Sequence, residues 1–271
     1  MRVALESFPP FIMAGVRFLL AGSILYLSSR IRGTPRPTRA QWAGSALIGI
    51  LLLLGGNGSV SFAEQWVSSG LAAVALAAVP LWTAFFVGLM GRWPTRPEWV
   101  GLVLGFVGVI LLNLENGLWA NPQGAIALLL APICWAFGSA LSTRTRIPLP
   151  SGLMASATQM LAAGGSMLLV ALVLGEQVQS LPSGRSLVAL AFLICLGSLV
   201  AFSAYGYLLR HVRPALATSY AYVNPVVAVA LGVGLAGEHI TIVGLLAMVV
   251  ILSGVGLVSL GRSKVIPPKG P

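Results

Sequence analysis

Arg17 is the one basic side chain set well inside a long apolar run, Pro9 to Ser29. A guanidinium near the centre of a membrane span costs about 2.5–3.5 kcal/mol on insertion scales, so it must face protein or reach toward the interface. Two roles fit it: binding a substrate carboxylate, or pairing with helix C-terminal carbonyls or with Glu6. Asn57, between Gly56 and Gly58, and Asn224, just before Pro225, are amides in apolar surroundings. Such groups need partners, which neighbouring helices or a bound solute can supply. Trp82, Trp135, Tyr220 and Tyr222 fall near the middles of apolar runs, and Gln159 takes the place in the second half of the chain that Arg17 takes in the first. Arg17, Asn57, Trp82, Trp135, Gln159, Tyr220, Tyr222 and Asn224 together outline an amphipathic cavity with little fixed charge. Pro80, Pro132 and Pro225 each free a backbone carbonyl, either as static kinks or as hinges beside a carbonyl-lined site.

Other chemistries lack their residues. His211 and His239 flank apolar runs with no second ligand at metal spacing, so no metal site is expected. Cys134 and Cys195 lie in the middle of such runs and read as small buried packing residues. No Gly-rich phosphate loop follows a strand, and no cofactor is expected. An enzyme would need Asp, Glu or His clustered at one membrane face, yet the acids are six dispersed Glu and there is no Asp.

These side chains must be carried by membrane helices. Of 271 residues 57% are hydrophobic and only 8% are charged, with a mean hydropathy of +0.94. So few charges cannot clothe a water-soluble particle, whereas lipid requires almost none. Nine apolar stretches read as transmembrane helices: Pro9 to Ser29, Ala40 to Ala63, Gly70 to Met90, Trp99 to Leu114, Gln123 to Ser142, Ser151 to Leu174, Ser186 to Leu209, Pro214 to Ala236 and Ile240 to Leu260. The net charge of +10 comes from small basic groups between these stretches rather than from a basic patch interleaved with aromatics, so nucleic acid is not an expected partner. Arg30, Arg32, Arg36, Arg39, Arg92, Arg96, Arg144, Arg146, Arg210, Arg213, Arg262, Lys264 and Lys269 all fall on one side, joined by Glu98. The other side holds Arg2 and Arg185 with Glu6, Glu64, Glu115, Glu176 and Glu238. The basic side is therefore cytoplasmic, the C-terminus with it.

The chain also matches itself at an offset of 145, Ser69-Gly70-Leu71-Ala72-Ala73 to Pro80 against Pro214-Ala215-Leu216-Ala217-Thr218 to Pro225. The first copy starts on the acidic side and the second on the basic side, so the halves are inverted, which requires an odd number of helices in each. Five spans follow residue 122 but only four precede it. One further N-terminal helix is expected in the natural protein, making ten.

Met13-Ala14-Gly15-Val16-Arg17-Phe18, Gly56-Asn57-Gly58, Ala63-Glu64-Gln65, Val79-Pro80-Leu81-Trp82, Glu98-Trp99-Val100-Gly101, Trp135-Ala136-Phe137-Gly138-Ser139 and Asn224-Pro225-Val226-Val227-Ala228 occur in order along the whole chain. In these motifs the sequence resembles the EamA family of the drug/metabolite transporter superfamily. It departs in lacking the Trp-Gly-Ser type segment of a first helix. The resemblance implies an all-α polytopic membrane protein with two inverted five-helix repeats around a central cavity. Residues 1–114 would be the first repeat, its first helix missing, 115–261 the second, and 262–271 a basic cytoplasmic tail. It further implies export of small metabolites such as amino acids from a bacterial inner membrane, with a small-molecule substrate and the lipid bilayer as partners and a monomer as a possible working unit.

Cavity composition narrows the cargo. Phosphorylated sugars need several cations and cationic drugs an intramembrane carboxylate, which leaves neutral or zwitterionic solutes. With no titrating group deep in a span, downhill export is expected, and a proton-coupled antiporter using Glu64 or Glu238 is the alternative. A nontransport scaffold or an enzyme is a more distant one.

Orientation has a direct test. Single cysteines at positions 36 and 269, with Cys134 and Cys195 replaced, should resist an impermeant maleimide in intact cells, and one at position 179 should react. Labelling at 36 with protection at 179 would reverse the topology.

Overall fold

The computed structural model describes residues 1–67, 69–113, 122–144, 146–179, 181–227 and 242–260. Glu115, Trp119, Glu238, His239 and the basic tail lie outside them. The described residues are helical throughout: α1 (Arg2–Leu5), α2 (Pro10–Ile31), α3 (Arg39–Ala63), α4 (Ser69–Leu76), α5 (Val79–Leu89), α6 (Arg96–Asn113), α7 (Pro122–Ser142), α8 (Leu153–Val173), α9 (Gly184–His211), α10 (Pro214–Thr218), α11 (residues 220–227) and α12 (Ile242–Leu260). Six of them, α2, α3, α7, α8, α9 and α12, are long and apolar enough to cross a membrane.

Two expected continuous spans are interrupted. The stretch from Gly70 to Met90 is two helices meeting at Ala77-Ala78, and Pro80 sits in the first turn of α5, where its missing N–H costs nothing, rather than at a mid-helix kink. The chain after Pro214 breaks at Ser219 before α11, which carries Pro225. Pro132 does lie inside an unbroken helix, α7. A feature that hydropathy cannot reveal is the π-helical winding of Ile50–Gly58 within α3 and Leu193–Phe202 within α9. These segments stand within two residues of the 145-residue offset.

Local sequence sets the helix ends. Thr38 and Gln41 form a reciprocal capping box on α3, and at the start of α6 the Glu98 carboxylate accepts from both the backbone N–H and the hydroxyl of Thr95. After α8, Gly175 takes a φ of +67°, the left-handed conformation that glycine adopts without strain. The turn carries Glu176 back so that its carboxylate accepts from the backbone N–H groups of Phe11 and Ile12 at the start of α2. A negative charge there complements the helix dipole.

Two helix pairs pack most closely, α2 with α8 and α6 with α12. In the second, a Cβ on Gly101 would stand 2.6 Å from the Gly254 carbonyl oxygen, and one on Gly254 would stand 2.6 Å from the Gly101 oxygen. Backbones touch there because neither residue has a side chain. In the first, Gly15 and Gly164 meet in the same fashion, a Cβ on Gly164 falling 3.0 Å from the Gly15 oxygen. Distinct apolar cores form around the two pairs. Phe18, Ile48, Leu52, Met160, Met167 and Phe202 fill one, while Leu102, Val109, Tyr222, Ile251 and Val258 fill the other. Across one end of the second core, Arg213 pairs with buried Glu98 and donates to the Val258 carbonyl, joining α6, α10 and α12. Both cysteines depart from the expected burial: Cys134 is half-buried and Cys195 is exposed on the outer face of α9.

Gly101→Ala should destabilise the protein by about 1–3 kcal/mol, since a Cβ there meets rigid backbone. Gly256→Ala on α12, where a Cβ would meet nothing within 4 Å, should be neutral or stabilising. Thermal unfolding of the detergent-purified variants reads both, and equal effects would refute the close-packing account.

Candidate functional site

Against the first core lies a cavity of about 460 Å³, lined by Met1 and by residues of α2, α3, α4, α5, α7, α9 and α11. Of the eight residues expected to outline it, Arg17, Asn57, Trp135, Tyr220 and Asn224 line it. Three do not. Tyr222 is fully buried behind the wall, its hydroxyl donating to the Leu102 carbonyl at 2.9 Å and its ring against Gly105. Trp82 projects outward, 36% exposed, and packs on Phe85 and Phe86. Gln159 is buried in α8 where Gly49 of α3 crosses it, beside Thr158, whose hydroxyl bonds Ser45. A helical face one or two residues off is invisible to span counting, and this separates Tyr220 from Tyr222.

Arg17 is buried with no acid against it among the described residues. Its Nε donates to Ser198 Oγ at 2.8 Å, Nη1 approaches Met1 Sδ at 3.7 Å, and the guanidinium carbon lies 4.7 Å from the Phe18 ring centroid. A Cβ on Gly197 would come within 2.8 Å of Nη2, so that glycine leaves the room the guanidinium occupies. Glu6, considered as its partner, instead faces exposed Arg185 at 4.0 Å. Gly197 and Ser198 both belong to the π-wound part of α9, as Asn57 belongs to that of α3.

Opposite Arg17 the wall is aromatic. The Trp135 and Tyr205 ring centroids are 5.5 Å apart, and Tyr205 and Tyr220 meet edge to face at 5.4 Å, a spacing at which aromatic pairs attract. Tyr205 donates to Ser139 Oγ at 2.6 Å while Ser139 donates to the Trp135 carbonyl, which fixes both rings. Gly56 lets the Trp135 ring lie against α3, because a Cβ there would stand 2.6 Å from the ring. Tyr205 sits within two turns of the end of α9, where an interface aromatic also commonly stands. Only its partners show it to be a buried wall, whereas nearby Tyr207 is exposed and stacks on His211. Asn57 Oδ1 is buried without a hydrogen-bond partner among the described residues, an unusual state for a polar atom in a folded interior, and the Trp135 indole N–H has only the Tyr205 hydroxyl near it, outside ordinary hydrogen-bond geometry.

The match to the EamA-like transporter family runs over residues 1–114 and 122–260. The chain belongs to that family. It is a membrane transporter of the drug/metabolite kind. It is 49% identical over 262 residues to the inner membrane transporter YedA of Escherichia coli K12, covering 96% of this chain and 85% of YedA. It is 26% identical over 265 residues to the protein PecM of Dickeya dadantii, covering 95% and 87%. One solved crystal structure superposes with a TM-score of 0.76 at 20% identity, over 96% of this chain and 92% of the other, so the likeness to it is one of fold.

Tyr222→Phe should lower stability by about 0.5–1.5 kcal/mol through the lost hydrogen bond and leave solute recognition unchanged, since that hydroxyl faces Leu102 rather than the cavity. Unfolding and flux measured on the same preparation check this. A changed substrate preference would put Tyr222 back in the site.

Proposed function

We propose that this transporter carries small neutral or zwitterionic metabolites, amino acids with apolar or aromatic side chains foremost, outward through the central cavity by alternating access. The carrying observation is the lining itself: one cationic side chain, Arg17, no acidic side chain among the described lining residues, an aromatic wall, and a buried amide oxygen, Asn57 Oδ1, without a partner. A phosphorylated cargo would meet too little positive charge here, and a cationic one no counter-charge. A bacterial cytoplasmic membrane is the setting, as for YedA, with the arginine-rich ends and the C-terminus inside. Two inverted repeats build the fold, each contributing a π-wound helix to the cavity, and the breaks at Ala77-Ala78 and Ser219 are where the cavity changes its opening. Pro80 and Pro225 are the hinge candidates that follow these breaks, and Pro132, inside unbroken α7, is the third.

The transport is downhill. A proton-coupled cycle needs an acid reached from both sides. The nearest candidate is Glu64 at the end of α3, whose carboxylate stands 4.0 Å from the amine of Met1 at the cavity edge.

In proteoliposomes loaded with labelled amino acids, saturable efflux should follow the solute gradient and fall in Trp135→Ala. An imposed pH gradient across vesicles with equal solute on both sides should drive no accumulation. Accumulation that a protonophore abolishes and Glu64→Gln loses would replace downhill export with proton antiport. Flux of nucleotide sugars but not of amino acids would overturn the cargo.

A further inference from the structure

Arg17 is more expensive than its surroundings explain. A guanidinium presents five N–H donors, and here one meets a hydroxyl and one a thioether. The remaining three, two of them on Nη2, have no acceptor among the described residues. The Phe18 ring offers weak compensation. A buried cation held by neutral groups alone leaves most of its desolvation cost unmet, and it borders the cavity instead of a protein carboxylate.

The same end of the cavity holds a group of opposite polarity. Arg17 and Ser61 both reach Met1 Sδ, and Ser61 donates to the Asn57 carbonyl one turn before it, so the Asn57 turn of α3 and Arg17 share a neighbour. Both line the cavity, and Asn57 Oδ1 is an acceptor with no donor. The holders of the cavity's two ends share α9: Ser198 fixes Arg17, and Tyr205, seven residues on, fixes the aromatic wall. Seven residues of helix span on the order of 10 Å, the length of one amino-acid-sized molecule.

We infer that Arg17 is the carboxylate anchor of this transporter, with Asn57 Oδ1 taking the neighbouring ammonium, so that an α-amino acid lies with its head at Arg17 and its side chain against Trp135, Tyr205 and Tyr220. Ser198 and Gly197 are positioning residues that orient the guanidinium and leave it room. This rests on the cavity being the transport site and adds which group each end recognises. A carboxylate supplies the missing acceptors in the fork geometry that arginine matches. A carboxamide of the same side chain cannot, because it carries no charge and one of its two polar atoms is itself a donor.

The test is binding of leucine, methionine, phenylalanine, tyrosine and tryptophan, each against its carboxamide, to the full chain in nanodiscs. At least one acid should bind about tenfold or more tightly than its amide, as a charge-assisted bond implies. Arg17→Gln should bring that ratio near one, and Arg17→Lys should keep part of it. Ser198→Ala, which retains the charge, should reduce the ratio without abolishing binding, and serves as the reading if Arg17→Gln does not fold. Failure of every acid to bind, amides binding as well as acids, or a ratio that survives Arg17→Gln in a folded protein would each overturn the anchor. Saturable flux of uncharged solutes alongside a ratio of one would remove the anchor and keep the cavity as the transport site. Absence of flux for any solute would remove the transport reading of the cavity itself.

Discussion

Lipid offers helices no water to escape, so the helices of this protein are held by how closely their backbones can approach. The Gly101–Gly254 and Gly15–Gly164 crossings supply that approach twice, and each seeds an apolar core of its own. The cavity opens against the first of these cores, with Phe18, Leu53, Phe202 and Tyr205 common to both. Small residues act there too, since Gly56 and Gly197 shape its wall by making room for Trp135 and Arg17.

Polar groups follow the same division. At the ends of helices they are satisfied within the protein: Glu176 caps α2, the Thr38 box closes the start of α3, Glu98 accepts from Thr95 at the start of α6, and Arg213 ties Glu98 to the end of α12. Inside the cavity they are not. Arg17 is met by a hydroxyl and a thioether, and Asn57 Oδ1 by nothing among the described residues. Natural interiors rarely leave such atoms orphaned. Under the proposed function a solute supplies the missing partners, and the aromatic wall meets its apolar part.

The π-wound segments of α3 and α9 connect fold to cavity. Wider winding changes the direction in which successive side chains leave the helix, and such segments concentrate at functional sites. Here they present Asn57 from α3 and Gly197 from α9 to the same space, with buried Ser198 behind it holding Arg17.

Much of this was legible in the residues. Hydrophobic runs set the spans because lipid tolerates no unpaired backbone, and the ordered motifs placed the chain in its family. The isolated positive charge marked Arg17, because any charge at that depth needs a reason. Other features depended on the direction of a side chain around its helix, which a run of uniformly apolar residues does not encode. Tyr222, Trp82 and Gln159 share the composition of cavity residues and lie outside the cavity, while Tyr205, which resembled an interface anchor, is central to it. The breaks at Ala77-Ala78 and Ser219 and the π winding arise from packing between distant segments, and no local propensity announces them. The sequence alone determined that there is a membrane, that the chain meets it with helices and which charges are scarce. Tertiary structure decided which of those scarce groups share one cavity, because in a bundle whose every face is apolar only contact with neighbours fixes which face turns inward.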